Sequence, residues 1–361
     1  MLTGITICYL RTVLKTLQRI ESMDTADNGQ DTRRSELRKW LGGLGGFDLA
    51  SLRPASGDAS FRRYFRLNRG AGTFVVMDAP PDKEDCGPFM QIAGFLQQMG
   101  LHGPQVLEAN TDQGFLLLTD LGSRQYLSEL QDQPKRAGEL YGDALRALAT
   151  LHAAGEDLKR QLPPYNEKLL RFELSLFHDW LCGRHIGIGF NLEEERDWER
   201  CCDLLVANAM LQPAVFVHRD YHSRNLMLVD DNNPGILDFQ DAVEGPLTYD
   251  LVSLLKDCYI SWPADRVRDW AVTFHRMAPT ARTLALSEFM RCFELTGVQR
   301  QLKAAGIFAR LNHRDSKPAY LRDVPRTLNY IIDIAPRYPE LRFISQLIAT
   351  RILPQIEGPQ K

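Results

Sequence analysis

The sequence predicts an α+β chain of two lobes, a small one built on a five-stranded antiparallel sheet and a large one that is mainly helical. Three observations carry that prediction. Short apolar strands separated by turn residues crowd the stretch 47–120, and helical spacing dominates beyond Asp120-Leu121-Gly122. Within the helical part, the polar run His218-Arg219-Asp220-Tyr221-His222-Ser223-Arg224-Asn225 is flanked by short apolar segments and followed by Asp238-Phe239. The 361 residues, 44% hydrophobic and 25% charged, suffice for two separate cores. The boundaries read as an extension outside the core over 1–33, the small lobe over 34–120 and the large lobe over 121–361.

The first helix is set by Leu37, Trp40, Leu41 and Leu44 on one face, and Gly42-Gly43 with Gly45-Gly46 break it. A strand-rich stretch starts at 47–52. Segments 60–67 and 73–79 read as paired strands, joined by the turn Asn68-Arg69-Gly70-Ala71-Gly72. Residues 89–99 read as a helix, and 105–109 with 114–119 as a further hairpin. The chain crosses to the large lobe at Asp120-Leu121-Gly122. There Leu140, Ala144, Ala147, Leu148 and Leu151 line one face of a helix ending near His152, and 171–356 is mostly helical.

Asp220-x-x-x-x-Asn225 with a following Asp-Phe pair has the spacing of a kinase catalytic loop and its metal site. Phosphoryl transfer needs a carboxylate that orients a hydroxyl and takes its proton, and oxygen donors that hold Mg²⁺ against the phosphates of ATP. Asp220 fits the first role; Asn225 and Asp238 fit the second. Val215-Phe216-Val217 leads into the loop and Leu226-Met227-Leu228-Val229 leads out. A dense turn signal over 230–235 then precedes Ile236-Leu237, which delivers Asp238. A buried hairpin with polar turns would account for the apolar runs, but not for Asp220, Asn225 and Asp238 together. The expected architecture is therefore a two-lobed protein-kinase-like fold. The chain reaches Asp250 only eleven residues after Phe239, too soon for a long activation segment, which points to a small-molecule acceptor.

Other positions are less determined. Gly57-Asp58-Ala59-Ser60 at the first hairpin tip could cover phosphates with backbone N–H groups, or could be an ordinary turn with one glycine. Met77 follows Val75-Val76, where kinases usually place a Lys that holds the α- and β-phosphates. Arg62, Arg63 and Lys83 are the nearest replacements, each equally readable as a solvated surface charge. Asp250 opens an apolar helix running to Leu255, where a carboxylate can cap the first N–H groups; in kinase-like folds the corresponding Asp also braces the catalytic loop. His313-Arg314-Asp315 repeats the triplet, but Tyr320 stands where a metal ligand would be needed and no Asp-Phe follows. It reads as a charged loop or a substrate-contacting segment.

The loop His218–Asn225, the string Ile236-Leu237-Asp238-Phe239-Gln240-Asp241 and the helix start Tyr249-Asp250-Leu251 resemble the aminoglycoside phosphotransferase/choline kinase superfamily. More narrowly, Val75-Val76-Met77-Asp78-Ala79-Pro80-Pro81 and Asp250-Leu251-Val252-Ser253-Leu254-Leu255-Lys256-Asp257-Cys258-Tyr259 resemble the bacterial N-acetylmuramate/N-acetylglucosamine anomeric kinases. Gly297-Val298-Gln299-Arg300 and Gly306-Ile307-Phe308-Ala309-Arg310-Leu311 extend that likeness, which runs from about residue 34 onward and takes in Met77 as part of the pattern. The resemblance implies ATP and Mg²⁺ as cofactors and an amino-sugar acceptor, phosphorylated at its C1 hydroxyl to feed UDP-sugar synthesis in peptidoglycan recycling. An anomeric hydroxyl is more acidic than an ordinary alcohol, which suits a single positioned carboxylate as base. Ser60, Arg62 and Asp120 are then candidate nucleotide contacts. Arg224, Asp241, Arg300, Arg310 and Arg314 are candidate sugar contacts, and His218 and Asp250 support the loop. Two other readings stay open: a kinase of an aminoglycoside or amino alcohol, which would want an acidic pocket, and a non-catalytic nucleotide-binding protein, suggested by Met77 and opposed by the intact metal ligands.

A net charge of −3 gives no broad attraction to nucleic acid or anionic membrane, and no apolar run is long enough to span a bilayer. Seven cysteines, odd in number and without a Cys-x-x-Cys pair, point to a reducing, cytoplasmic setting with neither a disulfide framework nor a zinc site. No obligate protein partner is signalled. In residues 1–22, Arg11 and Lys15 interrupt the apolar positions and no small-residue cleavage site follows, so a signal peptide is not expected. With Met23 offering another start, this segment reads as an extension outside the fold. Its deletion is expected to leave thermal stability and activity unchanged; a melting temperature lowered by several degrees would show that it packs on the core.

Overall fold

A computed structural model of the chain describes residues 26–57 and 61–357. The segment 1–22 and the hairpin-tip residues Asp58, Ala59 and Ser60 lie outside the described residues. The chain divides into two compact units, a small one reaching to Cys86 and resuming over Val106–Asp120, and a large one comprising Gly87–Gln105 and everything after Leu121.

In the small unit, helix α1 (Ala26–Leu44) precedes strands β1 (Asp48–Gly57), β2 (Arg63–Arg69) and β3 (Gly72–Asp78). After helix α2 (Gly87–Gln98) come β4 (Val106–Asn110) and β5 (Phe115–Thr119). The five strands form one antiparallel sheet in the order β1-β2-β3-β5-β4. Its register pairs Phe65 with Val76 and Val76 with Leu117, so residues of one parity share a face. Leu37 and Leu41, one turn apart on α1, bury against Leu52, Phe65, Leu67, Val76, Phe115 and Leu117. The helix starts well before the expected boundary at residue 34. Arg33 on its buried side donates to Asp78 at 2.9 Å and to the Gln113 carbonyl at 2.7 Å, so the small unit's packing reaches back into the stretch expected to lie outside the core.

Helix α2 groups with the large unit rather than with the sheet, and its aromatic residues show why. Phe89 packs on Phe239 at 4.8 Å between ring centroids, and Phe95 meets Phe216 edge-on at 6.5 Å.

The large unit continues with helices α3 (Tyr126–Asp132), α4 (Ala137–Ala154), α5 (Glu167–Leu176) and α6 (Leu192–Leu211). Two short sheets follow: β6 (Ala214–Val217) pairs with β9 (Val243–Pro246), and β7 (Leu226–Met227) with β8 (Gly235–Ile236). The sequence shows β6, β7 and β8 in its apolar runs; β9, reading Val-Glu-Gly-Pro, carries no such signal. Helices α7 (Tyr249–Leu255), α8 (Ala264–Met277), α9 (Leu286–Asp315), α10 (Val324–Ile334), α11 (Arg342–Leu347) and α12 (Leu353–Glu357) complete the chain. No helix among the described residues is long and apolar enough to cross a membrane.

Helix α9 is the axis of this unit, buried without interruption from Leu295 to Lys303. Two glycines let it sit close to its neighbours. A Cβ at Gly306 would fall 2.3 Å from the Leu176 carbonyl carbon at the end of α5, and one at Gly297 would fall 2.6 Å from the Lys256 Nζ. The triplet His313-Arg314-Asp315, expected in a charged loop, forms the last turn of this helix instead, where cationic side chains suit the carbonyl end.

All seven residues of α7 are buried, and so is Lys256 immediately after it. The Lys256 ammonium lies 4.9 Å from the Phe293 ring centroid and has no hydrogen-bond partner. Burial lowers its pKa from 10.5 to about 8. Between these values the unfolded chain binds the proton and the folded chain does not, so stability rises with pH across that window. Below pH 8 the folded state carries the full penalty of a buried charge. Lys256→Met should therefore raise the unfolding free energy at pH 7 by about 2–3 kcal/mol, with the advantage shrinking toward pH 10. Urea unfolding at both pH values tests this; a lower midpoint for the variant at pH 7 would mean that the ammonium is stabilising.

Candidate active site

The site is assembled between β6 and α7. Val215, Phe216 and Val217 are fully buried, which fixes the point where the chain leaves the sheet at His218. Arg219 then adopts a left-handed backbone with φ 77°, and Asp238 does so with φ 60°. Each costs a non-glycine residue on the order of 1–2 kcal/mol, so neighbouring contacts must hold it. Asp250, wholly buried, accepts the backbone N–H groups of His218 at 2.6 Å and Arg219 at 2.9 Å. The Arg219 guanidinium donates to Glu173 Oε1 at 2.7 Å. Of the two roles expected for Asp250, it takes the brace of the loop and does not cap its own helix. Thr248 is the N-cap of α7, and both Asp250 oxygens are turned onto the loop.

The other end of the loop is held by Asp257. Its Oδ2 accepts the Ser223 N–H at 2.9 Å and the Ser223 hydroxyl at 2.5 Å, while its Oδ1 accepts the Tyr259 N–H at 2.8 Å. Between the two ends Tyr221 is buried, and its hydroxyl donates to the Ala144 carbonyl at 2.8 Å. Tyr221 and Ser223 thus anchor the loop, whereas Asp220, His222 and Arg224 alternate with them and are less buried.

Asp220, Asn225 and Asp238 belong to one hydrogen-bonded unit. The Asn225 side-chain amide donates to the Asp220 carbonyl at 3.0 Å and to Asp238 Oδ2 at 3.2 Å, which leaves its Oδ1 as an acceptor. Gln240 donates to Asp238 Oδ1 at 2.8 Å, and the Leu237 N–H donates to the Asn225 carbonyl at 2.9 Å. His218 accepts the Asp220 N–H at its Nδ1, 3.2 Å away; burial lowers its pKa to about 4, so the ring is neutral and able to accept. Hard oxygens from one amide and one carboxylate suit Mg²⁺, which usually takes one or two protein carboxylates and completes its shell with phosphates and water.

The surroundings of Asp220 are cationic. Burial alone would raise its carboxyl pKa, but Lys303 first, then His222, Arg300 and Arg219, hold it below the ordinary value. The carboxylate is thus ionised at neutral pH, as a proton acceptor must be. Lys303 is itself fixed by Glu173 at 2.9 Å and by the Tyr249 hydroxyl at 2.7 Å. Glu173 also accepts from Tyr165 and, at 3.3 Å, from Gln299.

The remaining expected site residues are dispersed. Asp120 is engaged by Arg66, whose two nitrogens reach its oxygens at 2.6 and 2.8 Å. Met77 is fully buried, and beside it Asp78 is clasped by Arg33 and Arg63. Arg63 is therefore committed there, while Arg62 pairs with Glu84 at 3.2 Å and Lys83 lies 5.1 Å over the Phe61 ring. In the large unit, Arg300 is buried in α9 and donates to the Cys258 sulfur at 3.7 Å. Arg310 is half-buried, and Arg314 pairs with its neighbour Asp315 at 2.9 Å at the exposed end of α9. Asp241 is exposed in the turn after Gln240. Arg224 lies over the rings of Tyr259 at 4.7 Å and Tyr320 at 5.7 Å.

Glu173, Lys303, Asp257 and Tyr320 were not singled out from the sequence. A faint signal existed for Glu173, which shares the apolar stripe of α5 with Leu170, Leu174 and Phe177. An acid on a helix's buried face needs a cation to meet it.

The phosphotransferase enzyme family profile matches residues 51–286, and the chain belongs to that family. Within it, the chain falls with proteins named N-acetylmuramate/N-acetylglucosamine kinase. The one from Pseudomonas aeruginosa is 47% identical over 90% of this chain and 98% of that protein. The one from Neisseria meningitidis is 41% identical over 86% of this chain and 93% of that protein. Among solved structures, an ADP-bound aminoglycoside phosphotransferase is similar with a TM-score of 0.54, at 19% identity, covering 82% of this chain and 97% of that one. The choline kinase LicA from Streptococcus pneumoniae gives 0.55 at 9% identity over 82% of this chain and 97% of that one. These two share the fold: a five-stranded antiparallel small lobe and a mainly helical large one.

Asp257→Ala removes the acceptor for both Ser223 groups, charge-assisted bonds worth about 1.5–3 kcal/mol each. It should lower kcat at least tenfold, with KM for ATP changed less than threefold. A variant that folds normally and keeps its full kcat would show that the Ser223 end of the loop needs no tether.

Proposed function

We propose that this chain is an ATP-dependent kinase that phosphorylates the anomeric hydroxyl of N-acetylmuramate and N-acetylglucosamine. The observation that carries the proposal is the hydrogen-bonded unit of Asp220, Asn225 and Asp238, in a chain nearly half identical to a protein named for those two sugars. Asp220 orients the C1 hydroxyl and accepts its proton on a carboxylate oxygen as the phosphoryl group is transferred. Mg²⁺ bound by Asn225 Oδ1 and the Asp238 carboxylate would neutralise charge on the nucleotide phosphates. Asp250 and Asp257 hold the loop from behind, and Gln240 orients Asp238. Lys303, Arg300 and Arg219 keep Asp220 ionised and make its surroundings unfavourable to a cationic acceptor.

Phosphate transfer from ATP to N-acetylmuramate, N-acetylglucosamine and kanamycin tests the proposal. Transfer to both acetylated sugars and none to kanamycin is expected. Asp220→Asn should lower kcat by about 10²–10⁴-fold with ATP binding retained. Transfer to kanamycin alone, or an Asp220→Asn enzyme with more than about a tenth of the rate, would overturn it.

A further inference from the structure

Arg224 stands on the catalytic loop four residues after Asp220 and next to Asn225, yet no carboxylate among the described residues lies within ion-pair distance of it. The nearby acid Asp323 is taken by Arg326 at 3.0 Å. The Arg224 guanidinium instead rests on two half-buried tyrosine rings, Tyr259 at 4.7 Å and Tyr320 at 5.7 Å. Those rings belong to a continuous aromatic cluster. Phe308 stacks on Tyr320 at 5.8 Å, and His222, whose buried Nδ1 has no hydrogen-bond partner, meets Tyr259 edge-on at 5.3 Å. A cation held in place by rings, without a counter-ion, and carried by the same loop as the proton acceptor, is arranged to receive an anion from outside the protein.

The other arginines are less well suited. Arg314 already has Asp315, Arg310 lies beside that pair with its Nε buried and unbonded, and Arg300 is buried within α9 where its charge faces Asp220. The two proposed sugars differ in a lactyl ether whose carboxylate only N-acetylmuramate carries. Resting on the proposed sugar-kinase activity, we infer that Arg224 is the residue that recognises this carboxylate and sets the preference between the two sugars. The planar guanidinium can offer two parallel N–H donors to a carboxylate, and the tyrosine rings hold its plane before substrate arrives. Arg224 is a specificity residue in this scheme, not a participant in proton transfer.

The test is kcat/KM for N-acetylmuramate, its uncharged methyl ester and N-acetylglucosamine, measured on wild type, Arg224→Gln and Arg224→Lys, with each variant's fold checked by its melting temperature. Wild type is expected to favour the acid over the ester. Arg224→Gln should reduce the ratio of N-acetylmuramate to N-acetylglucosamine efficiency at least tenfold and abolish the preference for acid over ester. Arg224→Lys, with charge but no fork, should fall between. A ratio unchanged within twofold in a folded Arg224→Gln enzyme overturns the inference. If that variant fails to fold, a wild type that treats acid and ester alike overturns it equally. Wild-type failure to phosphorylate either sugar would instead refute the proposed function, so the two failures are distinct.

Discussion

Two carboxylates at either end of one buried helical segment, Asp250 and Asp257, hold the loop on which the chemistry depends. Asp250 accepts the N–H groups of His218 and Arg219, and Asp257 accepts the N–H and hydroxyl of Ser223. Without them the left-handed backbone at Arg219 would relax, because nothing intrinsic to an arginine favours it. With them, Asp220 is fixed between two tethers. The burial of all seven α7 residues makes this brace rigid, since the helix cannot shift without exposing its whole apolar surface.

Rigid placement of an ionised carboxylate in a buried site needs compensating charge, and the large unit supplies it through α9 and α5. Lys303 and Arg300 from α9, with Arg219 from the loop, offset the Asp220 charge, while Glu173 from α5 balances Lys303 and Arg219. Buried charges are less costly when hydrogen-bonded and paired, and Glu173 is so held by four donors. The close approach of α9 to the end of α5 at Gly306 brings these groups within reach of one another.

The small unit solves a different problem. Where a cation on β3 is usual for this chemistry, Met77 is buried and its neighbour Asp78 is neutralised by Arg33 from α1 and Arg63 from β2. The pair Arg62–Glu84 leaves a further cation close to the same strand end. Charge in this unit is arranged around a buried acid that ties the first helix to the sheet.

Alternating and helical periodicities made most elements legible from the chain alone, from the Leu37–Leu41 face of α1 to the hairpin of β2 and β3, because each encodes which face must leave water. The spacing of Asp220, Asn225 and Asp238 was equally legible, since the loop and the β7–β8 hairpin that join them are short and local. Strand β9 was not, because Val-Glu-Gly-Pro has no period of its own and becomes a strand only by pairing with β6. The start of α7 left two roles open for Asp250, a cap or a brace for the loop, and the approach of the loop decides for the brace, since both oxygens accept from His218 and Arg219. Glu173 and Lys303 were not legible either, because their partners lie tens of residues or more away along the chain. Local spacing determined the loop and most of the elements; which charges meet was decided by tertiary packing, because an ion pair is a property of distance in space and not of separation in sequence.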